Sequence, residues 1–68
     1  MIKVYYDVFS DDMIQLTIPE LNIGYMCKSR RDIGSAASDF CNGKPFELIQ
    51  VNDDNRKIAQ GDGNIEFC

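Results

Sequence analysis

One stretch of this 68-residue chain carries the period of a helix, and the runs flanking it alternate with the period of a strand. Ile33, Ala36, Ala37, Phe40 and Cys41 fall at i, i+3, i+4, i+7 and i+8, which is a single apolar stripe on one helical face. Ser29 with Asp32 three residues on forms an acidic variant of the capping box, and Gly43 stands where a left-handed C′ residue belongs. The spacing predicts a helix over about residues 30–42, anchored by Phe40. A lone apolar stripe needs a partner layer, and the rest of the chain offers only strands, so the helix is expected to lie on a sheet. Gly34 inside it costs about 1 kcal/mol relative to Ala, which predicts close approach to a strand there.

Before the helix, Ile2, Val4, Tyr6 and Val8 alternate with Lys3, Tyr5, Asp7 and Phe9, predicting a strand over residues 2–9. Ser10-Asp11-Asp12 is turn chemistry, and Ile14, Leu16 and Ile18 resume the alternation in Met13–Ile18, completing a hairpin. Pro19 cannot donate to a ladder and so ends that strand or kinks it at an edge, and a short third one is expected over residues 24–27. After the helix, Pro45 leads into a strand-type run over residues 46–51, Asn52-Asp53-Asp54-Asn55 reads as a turn, and Arg56–Gln60 reads as the returning hairpin partner. Gly61-Asp62-Gly63-Asn64 turns again into residues 65–67. The predicted architecture is a single α+β domain over residues 1–68. It is a small antiparallel or mixed β-sheet of four to six short strands with one α-helix packed on one face.

So short a chain buries only about 60% of its unfolded surface and has little material for a deep walled pocket. It contains no His, so the commonest general base and the commonest zinc ligand are both missing, and any chemistry would rest on carboxylates, Tyr, Lys or Cys. No cofactor and no metal are expected, and an enzyme built on Asp or Cys ranks last among the readings. Asp53-Asp54-Asn55 lacks the continuing acidic and Gly positions of a calcium loop, and Gly61-Asp62-Gly63 lacks the Lys-Ser/Thr and the helix of a phosphate loop.

Cys27, Cys41 and Cys68 are an odd number at spacings that suit neither a disulfide framework nor a CxxC metal site. Free thiols in a reducing cytoplasm are expected, with Cys41 buried as a small hydrophobe. The opening MIKVYYDVF is strand-like, neither a signal peptide nor a membrane span, so no membrane partner is expected either.

Net charge is −4, which disfavours generic contact with phosphate backbones. Its distribution is uneven. Lys28, Arg30, Arg31 and Lys44 make the middle of the chain basic, while Asp7, Asp11, Asp12 and Glu20 before it, and Glu47, Asp53, Asp54, Asp62 and Glu66 after it, make both flanks acidic. Turn composition alone accounts for Asp11-Asp12 and Asp53-Asp54, and a solvated face accounts for Lys28, Arg30 and Arg31. As contacts, the carboxylates suit a basic partner surface, and the basic cluster suits an acidic surface or an RNA backbone. Tyr5, Tyr6 and Phe9 are strand aromatics of the kind that stack bases, though they are not interleaved with the basic residues.

Val4-Tyr5-Tyr6-Asp7-Val8-Phe9, the acidic turn, Ile14-Gln15-Leu16-Thr17-Ile18, then Pro19-Glu20-Leu21 and Gly24 together resemble the N-terminal domain of HicB-type antitoxins over about residues 2–42. Ser29, Asp32, Ala36 and Ala37 are a loose echo of that family's capped helix. The sequence departs from the pattern by one extra residue between the Pro-Glu-Leu corner and the Gly, and by the lack of the C-terminal DNA-binding segment. The resemblance implies a partial RNase-H-like fold that blocks a toxin by protein contact, without autorepression.

The function expected from these readings is that of a small non-catalytic inhibitor or adaptor acting by protein–protein binding. It would be antitoxin-like, or anti-defence-like in the manner of a phage anti-CRISPR. Its partner would be a protein, of nucleic-acid-binding or nuclease type, met through Asp11, Asp12, Asp53, Asp54, Lys28, Arg30 and Arg31. The alternative is a single-strand nucleic-acid-binding module using Lys28, Arg30, Arg31 and the sheet aromatics. Direct nucleic-acid binding ranks second, and a homodimer is left open.

Overall fold

In the computed structural model, which describes residues 1–61 and 63–68, the alternating N-terminal runs pair as an antiparallel meander. Strand β1 (Ile2–Ser10) sets Tyr6 opposite Leu16 and Val8 opposite Ile14 of β2 (Met13–Ile18), with a bulge between Val8 and Ser10. Pro19 ends β2 as its missing donor requires, opening a 3-10 turn (Pro19–Leu21) that exits through left-handed Asn22. Strand β3 (Ile23–Cys27) then returns beside β2, with Tyr25 opposite Leu16.

Helix α1 (Arg31–Phe40) follows, and it delivers the chain to β4 (Phe46–Gln50), which pairs parallel to β1 on the far side of the meander. A second short helix, α2 (Arg56–Gln60), leads to β5 (Glu66–Phe67), parallel to β3. The sheet is therefore mixed, in the order β4-β1-β2-β3-β5, and the domain is α+β with one main helix. Of the turn expected at Gly61-Asp62-Gly63-Asn64, Asp62 lies outside the described residues; Gly61 and Gly63 both have positive φ.

The core lies between α1 and one sheet face. Ile2 and Val4 of β1, Ile14, Leu16 and Ile18 of β2 and Cys27 of β3 meet Ile33, Ala37 and Cys41 from the helix and its end. Alternation explains the choice of strand residues, since every second side chain points to the same face. Of the stripe, Ile33, Ala37 and Cys41 are buried, whereas Phe40 stands at its margin, leaning on Tyr25 with ring centroids 5.6 Å apart. The small residues, not Phe40, are thus the deep contact.

Three local expectations around α1 are corrected. Ser29 and Asp32 form no capping box: Arg30 is the N-cap residue, it has helical dihedrals, and no side chain caps the end. At the other terminus the left-handed C′ residue is Asn42 (φ 54°), with Gly43 (φ 77°) one place further on. The Gly43 N–H donates to the Ser38 carbonyl at 3.2 Å and the Asn42 N–H to the Asp39 carbonyl at 3.2 Å, the paired bonds of a Schellman motif. Gly34 is exposed, and a Cβ there would meet nothing within 4 Å, so it makes no close approach to a strand.

The close approach belongs to Gly24 on β3. A Cβ built there would lie 2.5 Å from the Phe67 ring and 2.9 Å from Ile65 Cγ2, so the missing side chain is what lets the C-terminal segment cross β3.

The expected hairpin between residues 46–51 and Arg56–Gln60 does not exist. Asn52 to Asn55 is a helix entrance: the Asn52 side-chain oxygen accepts from the N–H of Asp54 (2.8 Å) and of Asn55 (3.0 Å), and the Asn55 side-chain oxygen accepts from the Asn52 N–H (2.7 Å). That reciprocity has the logic of a capping box. The helix it starts places Ala59, 4% exposed, against the second face of the sheet, where Tyr5 and Thr17 are also buried outside the main core. The sheet thus carries a helix on each face, large on one side and small on the other.

A candidate contact surface at one end of the sheet

Strands β1, β3 and β4 run in the same direction, so their C-terminal ends project together. Val8 is level with Ile14 and Ile14 with Cys27, and the Val51 N–H donates to the Tyr6 carbonyl at 2.9 Å, so β4 also ends near this level. The segments bearing Asp11 and Asp12, Asp53 and Asp54, and Lys28, Arg30 and Arg31 therefore all leave one end of the sheet. All seven of these residues are exposed. The order of the strands puts the acidic turns on the β4–β1 side and the basic cluster on the β3 side, so this end is electrically divided.

Each turn is held by its own chemistry. The Ser10 hydroxyl donates to Asp12 Oδ1 at 2.8 Å, fixing the β1–β2 turn. Arg56, on the first turn of α2, donates from Nη1 to Asp7 Oδ2 at 3.0 Å, and its Nη2 lies 3.9 Å from Asp53 Oδ1. Arg56 thereby ties the small helix to β1. With both partners in contact with solvent, such a pair contributes about 0.2–1 kcal/mol. Among the described residues, Lys28, Arg30 and Arg31 form no ion pair, which leaves their charge open to a partner.

The sequence reading missed the apolar part of this surface. Met13 alternates out of phase with Ile14, Leu16 and Ile18, and Met26 stands between Tyr25 and Cys27, so both project on the face opposite α1. The bulge takes Phe9 out of the ladder, and it lines a shallow cleft of about 130 Å³ on that same face with Asp7, Gln15, Thr17 and Arg56. Phe9, Met13 and Met26 are 54%, 48% and 40% exposed. The signal that could have revealed them is this phase: once Ile14, Leu16 and Cys27 are assigned inward, both methionines must lie outward.

The set of strand aromatics is narrower than expected. Tyr5 is 4% exposed beneath α2, and Tyr6 and Val8 pack at the margin of the core under α1, so Phe9 alone of Tyr5, Tyr6 and Phe9 is free to stack on a ligand. Among the described residues there is no group of three His, Cys, Asp or Glu side chains able to hold a metal ion, and no helix long and apolar enough to cross a membrane.

All three thiols are free, with Cys27 and Cys41 buried and Cys68 exposed. Burial pushes the Cys27 thiol up, with the Asp32 charge adding to it, and burial likewise raises Cys41, with Glu20 adding. A raised folded value means stability that is complete below the ordinary thiol range and declines as pH rises from there toward the folded value. Denaturation midpoints should therefore fall as pH rises above about 8.5. In the native protein a thiol reagent should label Cys68 fast and the other two slowly, and three thiols should titrate after denaturation. Equal native labelling rates at all three would contradict the burial.

A scan against protein-family models finds no match, and searches of the curated proteins and of the solved structures find none either.

Proposed function

We propose that this chain is a non-catalytic inhibitor or adaptor that works by protein–protein contact through the charged end of its sheet. The observation that carries the reading is the grouping of exposed Phe9, Met13 and Met26 on one face, next to the carboxylates of Asp11 and Asp12. An apolar centre with a charged rim is the anatomy of a contact surface, because the centre supplies desolvation energy and the rim supplies approach and selectivity. The acidic turns favour a partner with a basic rim, such as a nucleic-acid-binding or nuclease protein. An antitoxin-like mode of inhibition is what the resemblance to HicB-type antitoxins implies, and a phage anti-defence protein is the other form of the same reading.

Against the nucleic-acid alternative stand the net charge of −4 and the loss of Tyr5 as a stacking platform. The test is capture of the partner from native lysate, with and without nuclease, followed by binding kinetics on three variants. Replacing Phe9, Met13 and Met26 with Ala should speed dissociation. The fourfold Asp→Asn change at positions 11, 12, 53 and 54 should slow association about tenfold at about 50 mM salt and much less at about 300 mM. Reversing Lys28, Arg30 and Arg31 to Glu should leave association with a basic partner no slower. If RNA co-purifies and only the charge-reversed variant fails to bind, the protein-contact reading is wrong and nucleic-acid binding replaces it.

A further inference from the structure

The sheet has two edges, and they are protected unequally. Strand β5 is two residues long, too short to template another chain. Strand β4 is five residues long and pairs only with β1, leaving its outer side open. The Ile2 N–H donates to the Pro45 carbonyl and the Val51 N–H to the Tyr6 carbonyl, so the odd-numbered residues of this segment face β1. Phe46, Leu48 and Gln50 therefore turn their N–H and C=O groups outward. The strand has no Pro, no Lys and no bulge, the usual guards of an edge, and Leu48 at its centre is 42% exposed.

We propose that two copies of this chain associate through their β4 edges, antiparallel about a two-fold axis at Leu48, to form one continuous ten-stranded sheet. This surface runs along the β4 edge and meets the contact end described above at Asp53. A two-fold normal to the sheet opposes residues of equal parity, and the outward groups must be those of Phe46, Leu48 and Gln50, which restricts the register. Centred on Leu48, the pairing sets Leu48 beside its copy and Phe46 opposite Gln50. Glu47 then faces Ile49, whereas centring on Glu47 would oppose two carboxylates. Centring on Ile49 would draw in Asn52, whose N–H is already held by the Asn55 side chain. The Gln50 carbonyl accepts from Asn55 Nδ2 at 3.1 Å and retains a second lone pair for the partner strand.

Charge agrees with this register. Antiparallel pairing about Leu48 carries Lys44, just before β4, to the 52–53 corner just after β4 of the other copy, so Lys44 meets Asp53 at both ends. Parallel pairing would leave both like-charged corners side by side. A second copy is thus the occupant that satisfies the backbone groups, the exposed leucine and the flanking charges together.

The test is sedimentation of the full chain from about 10 µM to about 1 mM, with amide hydrogen exchange on the same samples. Wild type should pass from monomer to dimer, and the Phe46 and Leu48 amides should exchange more slowly as concentration rises. Leu48→Lys, at a partly exposed site, should raise the dissociation constant at least about tenfold by placing two ammonium groups at the axis. Lys44→Glu should weaken association, and adding Asp53→Lys should restore it. A chain that stays monomeric throughout, or a dimer in which the Leu48 amide exchanges unprotected, overturns the proposal. The exchange measurement on wild type distinguishes these outcomes even if a variant fails to fold.

Discussion

Leu16→Ala should leave the domain marginally folded or unfolded at room temperature. Leu16 is 1% exposed on β2, the middle strand of the five, and faces α1 between Tyr6 of β1 and Tyr25 of β3. Truncating such a side chain costs about 2–5 kcal/mol, part of it transfer energy and part the cavity left behind. A domain of this length commands only about 3–10 kcal/mol in total. Leu48→Ala removes the same atoms from an exposed edge position and should cost less than about 1 kcal/mol. Urea midpoints measure both. Equal shifts for the two variants would mean that β2 is not the centre of the sheet.

Ala37→Asp should be as damaging, for a different reason. Ala37 is fully buried on the core face of α1, among Val4, Leu16 and the other apolar side chains of the sheet. An unpaired carboxylate in that position costs more than about 3 kcal/mol, or is forced to take up a proton. The folded-state pKa of the new group would be raised, so its neutral form is the one the fold tolerates. The variant should accordingly regain stability as pH falls below the raised value and lose it as pH climbs from the ordinary carboxylate range toward that value. Ser35→Asp, on the exposed side of the same helix, is the control and should fold normally. A cooperative, unshifted melt for Ala37→Asp at neutral pH would displace α1 from the core.

What could be read from the sequence was what local periodicity encodes. Met13–Ile18 emerged with both boundaries as expected, because Ile14, Leu16 and Ile18 alternate cleanly between turn residues and Pro19. Helix α1 emerged one residue short at its start and two at its end, its stripe intact. Arg56–Gln60 was misread because Asn and Asp serve turns and helix entrances equally well, through the same side-chain bonds to backbone N–H groups. Its content of Arg, Lys, Ala and Gln favoured a helix, and that intrinsic preference was the better guide.

Pairing between distant segments was not legible at all. Nothing in residues 46–50 names β1 as their neighbour, and only that parallel pairing brings the turn after β4 to the same end as the β1–β2 turn. Each of the seven candidate contact residues was visible singly, whereas their convergence depends on the order of strands. Gly24 and Gly34 make the same point on a smaller scale. Both interrupt an element, and only the tertiary path of Phe67 decides which of them is required.

The position of β4 also sets an order of events along the chain. The meander closes through turns of a few residues, but β4 joins β1 across a separation of forty-four positions, Ile2 against Phe46. Loop closure over that distance costs entropy before any ladder bond repays it. The chain emerging from a ribosome can therefore build β1 to β3 early, with one flank of β1 bare until residue 50 has been made. During that interval the strand destined to lie inside the sheet is itself an edge, and α1, the first segment synthesised after the meander, is the element available to cover the apolar face while it waits.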